Sequence, residues 1–472
     1  MKQFKILSVA LAAAMVVACG GGSDSPVVQA PAISFTSMVS FGDSLSDVGT
    51  YKVGAVAALG GGTYSVNGVT GSIPTKNWTE IIASQLGLPA PCPAQTGLNG
   101  TISPVAIVNN PTCRNYAQGG ARVTDPVGPG SASAPVNLPL GQLTVPIVTQ
   151  ISNHLARVGS FSGTELVTVM AGGNDVLRLL DTLVANATAA GATAGGQAFV
   201  TSLTGQLSAD ATSATAAVDI SGAFVRAKTA GASDLNAVTA AFQAAATAGS
   251  AKAVTALNKA TGGDTSDILA VVGIATTAAN TAGAAAGAAY AKTNGAAEAV
   301  FPMGEAGKQL ASYIKTQIVG KGAKYVAVVN LPDVSSTPSA TSQSADTQGL
   351  ILNMVIYFNT LLASELAGTP GVHIVDTFTD LRSQIANPTS YGLTNVTTPA
   401  CNLNATANGV IGNGLADPAK PESGTSLVCN TTNVKAGDVS KYLFADTVHP
   451  TPYGYKLLAD LVNKNLIQAG WL

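Results

Sequence analysis

Ser44 stands within Phe41-Gly42-Asp43-Ser44-Leu45-Ser46-Asp47, and the partners a serine nucleophile requires occur further along the chain. A serine hydroxyl attacks an ester only when a base takes its proton, and that base must itself be oriented. The chain holds three histidines, so the candidates are few. His154 lies between Val145 and Val158, where Ile147, Val148, Ile151, Leu155 and Val158 recur at helical spacing, and it reads as a helix-surface residue. His373 belongs to Val372-His373-Ile374-Val375-Asp376, a short β-like run, and reads as a strand residue. His449 differs: it follows Asp446 by three positions in Asp446-Thr447-Val448-His449-Pro450 and precedes a helix-like C-terminal segment. On a turn, that separation brings the carboxylate to one ring nitrogen and leaves the other for Ser44. The competing reading is a capping or turn cluster, since Asp and Pro are ordinary loop punctuation.

Acyl transfer also builds an oxyanion, which needs donors aimed at it. Two further blocks lie between the serine and histidine motifs: Asn115-Tyr116-Ala117-Gln118-Gly119-Gly120 and Gly172-Gly173-Asn174-Asp175. Each alone reads as a turn. With all four blocks in this order, the chain resembles the SGNH hydrolases, also called GDSL lipases and esterases. The resemblance implies Ser44 as nucleophile, His449 as base and Asp446 as its orienting acid. It implies an oxyanion hole made by the backbone N–H of Ser44, the backbone N–H of Gly120 and the side-chain amide of Asn174. The family glycine stands five residues after its asparagine, which selects Gly120 over Gly119. Asp43 and Asp175 are expected to hold loops by hydrogen bonding and not to react.

The resemblance further implies a serine carboxylic-ester hydrolase that needs no cofactor or metal. Its substrates are expected to be small-molecule or lipid esters with hydrophobic acyl groups. The same constellation serves carbohydrate O-acetyl esterases, thioesterases and lipid acyltransferases, because the pocket decides among them. A reading from another class is a surface lipoprotein that binds glycans or lipids without catalysis.

The elements that must carry these blocks alternate in type. Strands are expected at Ser37 to Phe41, Leu166 to Met170, Tyr325 to Val329 and Val372 to Val375. Helices are expected at Trp78 to Leu86, Gly304 to Val319, Leu350 to Leu366 and Pro452 to Ile467. Such alternation argues for an α/β fold with a central parallel sheet, and the resemblance implies a three-layer α/β/α sandwich of flavodoxin-like type. Three additions depart from a compact member of the family. Gly60 to Pro74 and Val123 to Pro146 are Gly/Pro/Ser-rich loops that either line a pocket or run over the surface. Residues from about 181 to 300 form an Ala/Thr/Gly/Ser-rich insertion with helical periodicity, either a cap over the site or a peripheral elaboration. Its uncharged stretch Ile268 to Ala291 owes its hydropathy largely to alanine and reads as helix, not as a membrane span.

Charged residues make up 10% of the 472-residue chain, against about 25% in typical domains. The net charge of −2 and the mean hydropathy of +0.32 offer no electrostatic footprint for nucleic acid. Met1 to Lys5 is basic, Ile6 to Val17 is apolar and short, and Ala18-Cys19 is followed by Gly20-Gly21-Gly22-Ser23. This reads as a bacterial lipoprotein signal over residues 1–18, with Cys19 lipidated, a tether over 19–34 and the hydrolase domain over 35–472. The chain would then be exported and anchored to the outer membrane through Cys19. The alternative is an ordinary secretion signal cleaved near Ala18. The remaining cysteines, Cys92, Cys113, Cys401 and Cys429, allow three pairings, and the sequence-local one, Cys92 with Cys113 and Cys401 with Cys429, is preferred.

Overall fold

The computed structural model describes residues 33–70, 73–402 and 425–472. The expected signal segment, Cys19 and nearly all of the tether lie outside the described residues. The four apolar runs form one parallel sheet, with β1 (Ser37–Gly42) beside β2 (Glu165–Met170), β2 beside β3 (Tyr325–Val329), and β3 beside β4 (Val372–Val375). The register aligns Val39 with Val167, Val167 with Val326, and Val326 with Val372. A parallel sheet covered on both faces needs nearly continuous apolar strands, and these sequences supply them.

Side chains alternate between two apolar layers. Val39, Phe41, Val167, Val169, Val326 and Val328 join Ile147, Ile151, Leu310, Met354 and Phe358. Those residues come from the helices Ile147–Val158, Phe301–Tyr313 and Ala345–Leu366. Met38, Leu166, Met170, Ala327, Val329 and Val375 face the other way, onto Trp78, Ile82, Tyr455, Val462 and Leu466. That layer is built by the helices Trp78–Gln85 and Pro452–Gln468. The result is the expected three-layer α/β/α sandwich.

One edge of the sheet was not legible as a strand. Ser40 donates its N–H to Arg114 and accepts from Tyr116, and Gly42 accepts from the Gln118 N–H. The Asn115–Gly120 block therefore runs alongside β1 and arrives at the same sheet end as Ser44.

The alanine-rich stretch is helical. Gly173–Ser208 begins at the end of β2 and runs antiparallel to Ser266–Gly295. Glycine lets the two backbones close: a Cβ on Gly191 would lie 2.7 Å from the Gly283 carbonyl oxygen, and one on Gly283 would lie 2.9 Å from that of Gly191. Three shorter helices, Ala216–Thr229, Asp234–Thr247 and Ala251–Thr261, gather at the far end. There Leu203, Leu207, Ile220, Val238, Phe242 and Ile268 bury a separate small core. By length and composition, Ser266–Lys321 and Ala345–Leu366 are apolar enough to cross a membrane. Ala345–Leu366, however, buries Met354, Val355, Phe358 and Leu362 in the main core.

Candidate active site

β1 ends at Gly42, where a Cβ would lie 2.9 Å from the Met170 carbonyl oxygen, so glycine allows the strand to finish against β2. The chain then turns: Ser46 N–H donates to the Asp43 carbonyl at 3.1 Å and Leu45 N–H to Asp43 Oδ1 at 3.0 Å. Ser44 rides this turn, largely buried, with Oγ 2.8 Å from His449 Nε2. His449 Nδ1 lies 2.7 Å from Asp446 Oδ2. An ionised carboxylate only accepts, so Nδ1 carries the proton and Nε2 is free to accept from the serine hydroxyl.

The three-residue separation of Asp446 and His449 works because the segment is a tight Asx turn. Asp446 Oδ1 accepts the N–H groups of Val448 at 2.9 Å and His449 at 2.7 Å, and Ala445 N–H closes the turn on the His449 carbonyl. Oδ2 also accepts the Ser426 N–H at 2.7 Å. Burial would raise the Asp446 carboxyl, but the His449 ring and the Ser426 hydrogen bond outweigh it and hold the group down to about 2.

Gly120 and Asn174 come from two other segments, one following the 115–118 edge beside β1 and one following β2. Gly120 has φ +80°, and a Cβ there would lie 2.2 Å from the Pro129 carbonyl oxygen and 2.6 Å from Thr144 Cγ2. Only glycine fits that backbone. Asn174, in the first turn of the long helix after β2, donates one amide N–H to the Ala121 carbonyl at 2.8 Å, and its second N–H meets no acceptor among the described residues. Among the described residues, the N–H groups of Ser44 and Gly120 donate to no protein acceptor. Ser44, His449 and Asp446 are therefore joined at the carboxyl end of β1; Gly120 follows the Gln118 bond to Gly42, and Asn174 follows Gly173, where a Cβ would lie 3.8 Å from Asp43 Oδ2.

Several supporting residues were missed by sequence reasoning. Asp47 accepts N–H bonds from Gly49 and Thr50 on Oδ1 and from Gly119 on Oδ2, and so ties the serine turn to the Gly120 loop. Asn115 donates its side-chain amide to the Ser46 carbonyl. Gln150 grips Gly42 at both ends: its Oε1 accepts the Gly42 N–H at 2.9 Å, and its Nε2 donates to the Gly42 carbonyl at 2.8 Å. A lone glutamine on the buried face of an otherwise apolar helical stripe was the available signal for it. Asp43 and Asp175 hold loops as expected, Asp175 by accepting from the Val123 N–H and Arg122. From the Gly60–Pro74 loop Tyr64 lies against the His449 ring, and from the Val123–Pro146 loop Thr144 lies against Gly120.

The other histidines lie elsewhere. His154 is on a helix but fully buried, not on its surface. Its ring stacks on Phe161 at 4.6 Å between centroids, and Nδ1 lies 3.2 Å from the Tyr116 hydroxyl. Burial, with Arg114 adding to it, lowers His154 to about 4, so it sits in the core as a neutral ring. His373, on β4, places Nε2 3.1 Å from the Asn465 side chain. The cysteines form the disulfides Cys92–Cys113 and Cys401–Cys429, with Cα atoms 5.1 and 6.0 Å apart.

A parallel α/β/α sandwich with a serine, a histidine and a carboxylate in file at its strand ends defines an ester hydrolase of the SGNH superfamily. The chain belongs to the GDSL-like lipase/acylhydrolase family, whose profile matches residues 193–462, more than half of its length. That span takes in Asp446 and His449, while Ser44, Gly120 and Asn174 precede it. No curated protein matches the chain.

Proposed function

We propose that this protein is a serine carboxylic-ester hydrolase that acts through a Ser44 acyl-enzyme on lipid or other hydrophobic acyl esters. The observation that carries the reading is the continuous hydrogen-bonded file Ser44 Oγ–His449 Nε2 at 2.8 Å and His449 Nδ1–Asp446 Oδ2 at 2.7 Å. In the first step, His449 Nε2 takes the hydroxyl proton as Ser44 Oγ bonds to the ester carbonyl carbon. The carbonyl π-electrons move onto oxygen, where the N–H groups of Ser44 and Gly120 and the free amide N–H of Asn174 receive the charge. Collapse of this intermediate breaks the bond to the alkoxy group, which leaves with the proton from His449. Water then repeats the sequence on the acyl-enzyme, frees the carboxylic acid and restores Ser44. Asp446, held ionised, stabilises the imidazolium that forms twice in each cycle.

The hydrophobic-acyl preference follows from the family's lipase character and from membrane anchoring through Cys19, both part of this proposal. The protein would then work as an exported lipoprotein at the outer membrane. A p-nitrophenyl ester series from acetyl to palmitoyl, run with Ser44→Ala and His449→Ala, tests the reading. Hydrolysis by the wild type that both variants lose supports the serine mechanism, and an optimum at medium or long chains supports the substrate class. An acetyl optimum would replace the lipid-ester assignment with an acetylesterase. A folded wild type inert on every ester would refute general esterase activity.

A further inference from the structure

Tyr64 comes from the Gly60–Pro74 loop, outside every motif that carries the chemistry, yet its ring lies against the base. Its centroid is 4.8 Å from that of the His449 imidazole, with 35° between the planes. The residue is 3% exposed and fixed on several sides. Tyr51 packs edge-on against it at 6.3 Å, Leu427 and Val428 share its apolar cluster, and its carbonyl accepts the Tyr455 hydroxyl at 3.1 Å. Among the described residues, the Tyr64 hydroxyl is buried without a hydrogen-bond partner. It abuts the Gly119 backbone so closely that a Cβ on Gly119 would lie 1.9 Å away. One rigid ring thus spans from the base to the Gly119–Gly120 loop.

We infer that Tyr64 is a positioning residue whose aromatic face stabilises the His449 imidazolium formed during each proton transfer and fixes the ring's orientation toward Ser44. An aromatic face attracts a cation within about 6 Å of its centroid, more strongly where water is excluded. The neutral imidazole gains little from the same face. The interaction therefore strengthens as the serine proton moves, and an interaction of that kind raises kcat instead of tightening substrate binding. Burial pushes the Tyr64 phenol well above its ordinary value, so the ring faces His449 uncharged. The other ionisable groups around the pair are Asp446 on Nδ1, Asp43 behind the serine turn, and Asp47, Tyr51 and Tyr455 on the Tyr64 side.

The inference rests on the serine-hydrolase reading, and its test separates the two. Tyr64→Phe keeps the face and drops only the unpartnered hydroxyl, while Tyr64→Met keeps bulk without a face. Profiles of kcat and KM against pH are measured for both, in the native background and with Asp43→Asn, which removes the titration of that neighbour. Tyr64→Phe should match wild type. Tyr64→Met should lose about 3- to 10-fold in kcat with KM nearly unchanged, and the midpoint of its acid limb should fall by about half to one pH unit. Pentafluorophenylalanine at position 64 keeps the ring's shape and reverses the sign of its face, and it should reproduce the Met result even if Met fails to fold. An acid limb unmoved in the Met or fluorinated variant overturns the inference, as does a Phe variant as impaired as Met. If wild type fails to hydrolyse esters, or Ser44→Ala retains the rate, the hydrolase reading itself has failed and this inference with it.

Discussion

Asp446→Asn should silence the enzyme while leaving its shape nearly intact. The carboxylate accepts four hydrogen bonds: Val448 N–H and His449 N–H on Oδ1, Ser426 N–H and His449 Nδ1–H on Oδ2. An asparagine offers one acceptor oxygen and one NH2 group. The oxygen will stay with the two N–H groups of the Asx turn, which are fixed by their own backbone. The NH2 then points at His449 Nδ1, which can accept only as the other tautomer. The ring proton shifts to Nε2, the nitrogen that must take the serine proton, and the base is lost. A tautomer reversal of this sort lowers kcat/KM by about 10³- to 10⁴-fold, or roughly 4 to 5 kcal/mol of transition-state stabilisation. The Ser426 N–H would face an amide N–H in a buried site, and stability should fall by about 2 kcal/mol. Initial rates on the best p-nitrophenyl ester, normalised to folded protein and set beside Ser44→Ala, measure the first effect, and urea denaturation measures the second. Retention of more than about a tenth of wild-type kcat/KM would refute the tautomer argument.

Three further outcomes follow from the same geometry. Gly120→Ala places a methyl 2.2 Å from the Pro129 carbonyl oxygen at φ +80°, so it should lower the melting temperature and cut kcat/KM by about 100-fold or more through a displaced oxyanion donor; a variant with native stability and rate would contradict the described backbone. Burial first, with Asp175 adding to it and the Leu45 N–H and His449 opposing, raises Asp43 from 3.8 to about 7, so the native state binds that proton more tightly than the unfolded chain. The stabilisation is complete below about pH 4 and is lost as pH rises through 7, a swing of roughly 4 kcal/mol at most. Urea melts of wild type and Asp43→Asn should therefore diverge between pH 4 and 7, and parallel curves would count against a buried, protonatable Asp43. Finally, Cys401–Cys429 closes a sequence separation of 28, and its loss should cost about 3 kcal/mol. Because Cys401 N–H bonds the Ala445 carbonyl, beside Asp446, a Cys401→Ser, Cys429→Ser variant should also lose rate, which an unchanged kcat at low temperature would disprove.

The sheet was legible because strands covered on both faces must be largely apolar, and Tyr325–Val329 and Val372–Val375 fall on the runs read from sequence. The 114–118 edge was hidden by its polar residues, since its pairing with β1 is made by backbone groups alone. His154 was misplaced because a histidine breaks an apolar pattern on paper. Yet Ile147, Ile151 and His154 occupy one buried stripe, where the imidazole packs as a flat ring among Phe41, Tyr116 and Phe161. The hydrogen-bonded file was readable because Ser44, His449 and Asp446 are each confined to short strings whose local geometry suffices. Gln150 and Tyr64 act across the fold from single positions, and no spacing reports a contact made only in three dimensions.

The motif residues divide into groups that can react and groups that hold backbone still, and the second set explains why the motifs are longer than the chemistry needs. Three buried carboxyls, Asp43, Asp47 and Asp175, are each raised by burial and each relieved by N–H bonds from a loop that must stay in place. Removing Asp47 would leave the Gly49, Thr50 and Gly119 N–H groups unpaired at once, and removing Asp175 those of Val123 and Arg122, so both positions resist change. The serine turn shows the result most directly. Gly42 is held by Gln150 and by the Gln118 N–H, the Ser46 carbonyl by Asn115 and the Asp47 carbonyl by Asn77. With both ends of the turn fixed, the Ser44 N–H needs no structural partner. In the proposed reaction it is left for the charge that develops on the substrate carbonyl oxygen, one hydrogen bond away, where preorganised donors act most strongly.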